Sequence, residues 1–169
     1  SGVPDMGDLA VAEKICSLLH AAGGQRLFVF VITMENHGPL HLEKVLPGEA
    51  DRCYTLPPPA GCDDLTIYLR HLRNADRMAG MLRAELEHLP GSGSLCWFGD
   101  HVPIMPEVYR RIGAPGRNTD YVLWQKGRQT EQRNPRDLAV ENLGWLLLQE
   151  IGLLAAPGEQ ARQPGPLHH

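Results

Sequence analysis

What this sequence lacks narrows its reading first. No stretch approaches the roughly 18 consecutive apolar residues that a membrane-spanning helix requires; the nearest run, 143–154, is broken by Gly144, Gln149, Glu150 and Gly152. Nor does a basic segment precede a cleavable apolar stretch of the export-signal kind. Lys and Arg are scattered through a chain whose formal charge is −4, so the basic stripe of a nucleic-acid binder is missing and nucleic acid is not expected as a partner. The four cysteines form no CxxC pair, which removes structural zinc of the finger or ribbon kind. Cys16 and Cys96 fall on segments expected to be buried, where a thiol behaves as a small apolar side chain. Cys53 and Cys62 flank a Pro-rich loop, as either a disulfide worth about 3 kcal/mol in an oxidising compartment or two free thiols. No internal repeat appears. The 169 residues suffice for one core and one domain, 1–154, before a tail, 155–169, rich in Pro, Gly and Gln that reads as flexible.

Hydrophobic periodicity supplies the elements. Asp8 can cap a first helix through Leu9, Ala12, Ile15, Cys16 and Leu19 that stops at Gly23-Gly24. A continuous apolar run, 27–33, predicts a buried strand, and the Pro-rich stretch 38–63 a long loop. Leu65, Tyr68, Leu69, Leu72, Ala75, Ala79, Leu82, Leu86 and Leu89 recur at helical spacing, which predicts a helix over 65–89 with His71 and His88 on its surface. A strand over 94–98, a short helix from Pro106 to Gly113 and a strand over 121–124 follow. Asn134-Pro135 reads as cap and first residue of a last helix, with Asp137 in its first turn and its end near Gly152. Trp97, Trp124 and Trp145 have core-like spacing. Strands alternating with helices imply an α/β fold whose sheet is mostly parallel, with helices on both faces and the strands 27–33, 94–98 and 121–125 close together. Ligands gather at the carboxyl ends of such strands.

Two polar, His-bearing segments stand at that edge. The strand 94–98 runs into Gly99-Asp100-His101, a carboxylate and an imidazole side by side that offer two ligands to a divalent metal; the bland alternative is a loop carboxylate beside a solvated His. The run 27–33 leads into Glu35-Asn36-His37-Gly38-Pro39, where His37 is either a ligand-binding donor or a residue held by the tight Gly-Pro turn. His41 reads as a solvated loop residue.

The order strand, Glu35-Asn36-His37-Gly38-Pro39, helix with Asn74-Ala75-Asp76-Arg77, strand, Phe98-Gly99-Asp100-His101-Val102-Pro103 resembles the alkaline phosphatase and sulfatase superfamily over residues 1–150. Its lipoteichoic acid synthase-like and capsular polysaccharide-biosynthesis branch is the closest look-alike. The resemblance implies an alkaline phosphatase-like fold, here incomplete. It further implies part of a metal-dependent phosphoryl-group transferase or hydrolase, acting on phosphoesters of a cell-surface polysaccharide or lipid-linked glycan in a bacterial envelope. A sulfatase acting on sulfate esters, or a non-catalytic α/β interaction module with a decayed site, are the alternatives. In this family reading Asp100 and His101 coordinate a divalent ion (manganese, zinc, magnesium or calcium) and His37 binds the substrate's phosphate. Glu35 and Asn36 orient His37 there, and Asp76 has a structural role. Val102-Pro103 departs from the Gly that follows this His in many relatives. The superfamily also needs a Ser, Thr or modified Cys nucleophile and an acidic metal ligand from its first strand; neither can be placed, and no C-x-P-x-R or C-x-A-x-R run occurs. Gly2-Val3-Pro4-Asp5 resembles the segment that follows the nucleophile half in relatives. The expectation is therefore the C-terminal portion of a larger enzyme, lacking its N-terminal half and inactive alone.

Overall fold

A computed structural model describes residues 6–128 and 137–155. In chain order the elements are α1 (Asp8–Ala21), α2 (Glu49–Cys53), α3 (Asp63–His88), β1 (Ser94–Phe98), α4 (Pro106–Ile112), β2 (Tyr121–Gln125) and α5 (Leu143–Glu150), with 3-10 turns at Leu40–Leu42 and Val140–Asn142. The described residues divide into two compact units, one formed by 6–91 with 98–120 and the other by 92–97 with 121–128 and 137–155.

The first unit is built on α3. Ile67, His71, Ala75, Met78 and Leu82 lie on one stripe of this helix and are buried, and α1 packs along it through Ala12. Toward its N-terminal end, Ile67 joins Leu40, Cys62, Met105 and Val108 in one apolar cluster, with Val45, Leu65, Tyr68 and Tyr109 packed against it. The predicted loop 38–63 therefore carries structure: Leu40 anchors it in this core, and α2 docks on α3. Charge ties the same region down. Arg70 of α3 donates to both carboxylate oxygens of the buried Glu49 (3.0 and 2.8 Å) and to Glu43 (2.8 Å), while Glu49 also accepts the Leu46 N–H at 2.8 Å. His71, expected on the surface, is 4 % exposed and pairs with Glu43 at 3.0 Å.

In the second unit β1 and β2 form a two-stranded sheet. Lys126, just past the end of β2, donates its N–H to the carbonyl of Gly93 just before β1, so the register is antiparallel. Leu143 and Leu146 bury one side of α5, and Arg128 reaches Glu150 at 2.5 Å.

Several expectations need correction. The segment 27–33 forms no strand among the described residues, and Phe28, Phe30 and Ile32 stand exposed; a mostly parallel sheet over 27–33, 94–98 and 121–125 is not what the described residues form. A strand apolar on both faces needs neighbours on both edges, and no described residue pairs with this run. Asp8 is the first residue of α1 rather than its cap; Gly7 holds the cap position, with no side-chain cap bond. The start of the last helix at Asn134-Pro135 lies outside the described residues, Asp137 is not helical, and α5 begins at Leu143 after a 3-10 turn. Trp145 is exposed, while Trp97 and Trp124 are half-buried. Of the two readings open for Cys53 and Cys62 the structure has free thiols, and Cys16 and Cys96 are free as expected. The tail from 156 lies outside the described residues.

Candidate functional site

Two loops of the first unit carry the candidate residues, and one core holds both. Downstream of His37, Gly38 takes φ +90° and leads through a cis bond to Pro39 and then to Leu40, which is 4 % exposed in the apolar cluster. Position 38 requires glycine twice over, by its left-handed backbone and because a Cβ would come within 3.1 Å of the Leu40 nitrogen. Downstream of His101, the chain passes Pro103, whose carbonyl accepts the Tyr109 hydroxyl, and reaches Met105, 4 % exposed in the same cluster. Upstream, Gly99 is gripped by residues 119 and 120: its N–H donates to the Asp120 carbonyl at 3.1 Å, and the Thr119 hydroxyl donates to its own carbonyl. A Cβ on Gly99 would lie 3.1 Å from Cβ of Thr119, so a side chain here would crowd that residue.

Anchored in this way, the two loops bring His37 and His101 together edge to face. Their ring centroids are 5.7 Å apart, with an interplanar angle of 71°. His101 Nδ1 lies 2.8 Å from Asp100 Oδ1, an ion pair when the ring is protonated and an N–H donation to the carboxylate in the Nδ1–H tautomer. Either way the carboxylate fixes the ring's orientation and directs Nε2 away from it. Both side chains are open to solvent, at 43 % for His101 and 75 % for Asp100.

Glu35 and Asn36 sit differently from His37. The Glu35 carboxylate is taken up by the Asp8 N–H (2.7 Å) and by the Asn74 side-chain amide (2.5 Å). Asn36 Oδ1 is buried with no hydrogen-bond partner among the described residues. Asp8 itself is fully buried, its two carboxylate oxygens likewise unpartnered among the described residues. Burial, reinforced by the Glu35 charge and partly offset by His71, pushes its carboxyl up to about 6. Asp76, in the motif that suggested it, is exposed on α3, and His41 is exposed as expected. Neither Asn74 nor Arg70 is marked out as a site residue by the sequence alone, and Asp8 is marked only as a helix cap. A signal for Asn74 and His71 existed: both are polar residues on the stripe that Ile67 and Met78 mark as buried.

A divalent ion requires three or more protein ligands in most sites of this kind. Among the described residues no group of three or more His, Cys, Asp or Glu side chains could hold a metal ion. Asp100 and His101 supply two candidate donors.

The Sulfatase family model matches residues 4–149, most of the chain. The chain belongs to the sulfatase family, within the alkaline phosphatase superfamily of α/β proteins whose members act on sulfate and phosphate esters and generally use divalent metal ions. No curated protein and no solved structure matches it.

Proposed function

We propose that this chain contributes the substrate-anion side of an ester-transfer site. The reaction is phosphoryl-group transfer or hydrolysis on phosphoesters of a cell-surface polysaccharide or lipid-linked glycan. The observation that carries this reading is the edge-to-face contact of His37 with His101 beside Asp100, from loops far apart in sequence but rooted in one core. Two imidazole edges 5.7 Å apart at the centroids can both donate to the non-bridging oxygens of one tetrahedral anion. Asp100 fixes the His101 ring so that its free edge does not have to be ordered on binding. In this reading Asp100 and His101 are two ligands of a larger divalent-ion set, His37 contacts the phosphate, and the nucleophile with the acidic ligand belongs to polypeptide outside these 169 residues. The order of the Glu35-to-Pro39 and Phe98-to-Pro103 motifs supports the lipoteichoic acid synthase-like branch, and with it a phosphoester; a sulfate ester is the competing substrate, which the same site residues would also serve. The incomplete donor set supports a second reading, a non-catalytic interaction module.

Imidazole-detected NMR separates them. Glycerol phosphate is expected to shift both the His37 and His101 resonances with a Kd of about 1–10 mM, with potassium sulfate weaker and the His101 response lost in His37→Ala. No response at either ring would leave only the module. The chain alone is expected to turn over neither a phosphodiester nor a sulfate ester with manganese, zinc or magnesium supplied. In calorimetry it should bind those ions more weakly than about 1 μM, because two ligands do not make a site. Submicromolar affinity abolished by Asp100→Ala would show instead that the site is complete here.

A further inference from the structure

His37 is held from its C-terminal side by Leu40 in the core. From its N-terminal side the preceding run, 27–33, joins no sheet among the described residues, and Met34 is exposed. The bond from the His37 N–H to the Met34 carbonyl (3.0 Å) closes a local turn, but alone it neither fixes that turn relative to the helices nor keeps it closed. Of the two residues between His37 and the Leu40 anchor, Gly38, at φ +90°, has no side chain. What ties the turn to the scaffold on its N-terminal side is Glu35. One carboxylate oxygen accepts the N–H of Asp8 at the start of α1, where the backbone donors have no partners within the helix, and the other accepts the amide of Asn74 on α3. Space for it is left by Gly7, where a Cβ would meet Glu35 Oε2 at 3.3 Å.

We propose that Glu35 is a positioning residue of the candidate site: by stapling the turn 34–38 to α1 and α3 together, it sets where the His37 ring stands against His101. This goes against the simpler expectation that Glu35 orients His37 by touching it, since both of its oxygens are engaged elsewhere. The proposal rests on reading the two histidines as a binding site, yet it concerns their geometry and can fail while that reading stands, or hold where no ester binds.

The test uses the full chain and two readouts. One is the cross-relaxation between the His37 and His101 ring protons; the other is hydrogen exchange of the His37 amide relative to the Met78 amide in the middle of α3, which reports on general stability. In Glu35→Ala the ring contact should disappear and His37 exchange should rise about tenfold beyond any change at Met78. Glu35→Gln should restore both to within about threefold, because its Oε1 still accepts from Asp8 and its Nε2 donates to the Asn74 carbonyl once that amide turns over. Gly7→Ala, which crowds Oε2 without removing it, should fall between. An intact ring contact in Glu35→Ala, with His37 exchange tracking Met78, would overturn the proposal, as would a Gln variant no better than Ala. Should Glu35→Ala not fold, Asn74→Ala carries the test: removing one of the two bonds should raise His37 exchange about threefold, and no change would count against the staple.

Discussion

Two segments of the first unit invert the usual relation between hydrophobicity and burial. The run 27–33 is almost wholly apolar, yet Phe28, Phe30 and Ile32 are 79 %, 67 % and 70 % exposed. Helix α3 is studded with Arg, Asp and Glu, yet Ile67, Met78 and Leu82 on its stripe are 1 %, 2 % and 4 % exposed. The difference lies in the backbone. A helix satisfies its own N–H and C=O groups and needs a partner for one stripe only, which α1 and the apolar cluster supply. An extended run must find hydrogen-bonding neighbours at its edges before its faces can be covered, and no described residue pairs with 27–33. Apolar side chains are therefore not enough to place a strand in a core.

If α3 is the scaffold, breaking its polar grip should cost most. Arg70→Ala removes the partner of Glu49, which is 3 % exposed and would keep only the Leu46 N–H. A loss of about 3–4 kcal/mol in urea unfolding is expected, partly recovered by Arg70→Lys, which keeps the charge without the fork. A loss below about 1 kcal/mol would mean that the region around α2 does not depend on α3.

A smaller effect of opposite sign is expected where α1 meets the staple. The Asp8 carboxyl titrates at about 6 in the fold against 3.8 for the free side chain. Because the folded value is raised, its contribution is fully present below about pH 3.8, falls as pH rises through about 6, and stays lost above that. Asp8→Asn should accordingly stabilise the chain by about 2–3 kcal/mol at pH 7.5 and by nothing measurable at pH 3.5. Equal gains at both pH values would show that the effect is not the burial of charge.

Where the residues alone sufficed, the structure explains why. The helix over 65–89 was legible because nine apolar positions at helical spacing leave no other period, and α4 because Pro106 and Gly113 bracket it. Both members of the antiparallel pair were also recognisable as strands, but their relation was not: alternation of strand and helix suggests parallel crossovers, whereas register is decided by which neighbours are present. His37, Asp100 and His101 stood out because each closes an apolar run. The partners of Glu35 are not legible, since nothing local in the sequence announces that a carboxylate will be shared between the first residue of one helix and an amide in the middle of another.

The smallest effect should come from the most hydrophobic place. Phe30 is 67 % exposed in a segment without ladder bonds, so Phe30→Lys removes little buried area and should change unfolding free energy by no more than about 0.5 kcal/mol. Its effect should appear in association instead. Seven consecutive residues without charge, Pro or Gly, with unpaired edges, have nothing to discourage pairing between copies, and a Lys at the centre introduces that discouragement. Light scattering across a concentration series should show the wild-type chain self-associating and the Phe30→Lys variant doing so less, at matched stability. A Phe30→Lys variant destabilised by more than about 2 kcal/mol would reverse the comparison, because a loss of that size comes only from a side chain already packed, and 27–33 would then be a buried strand after all.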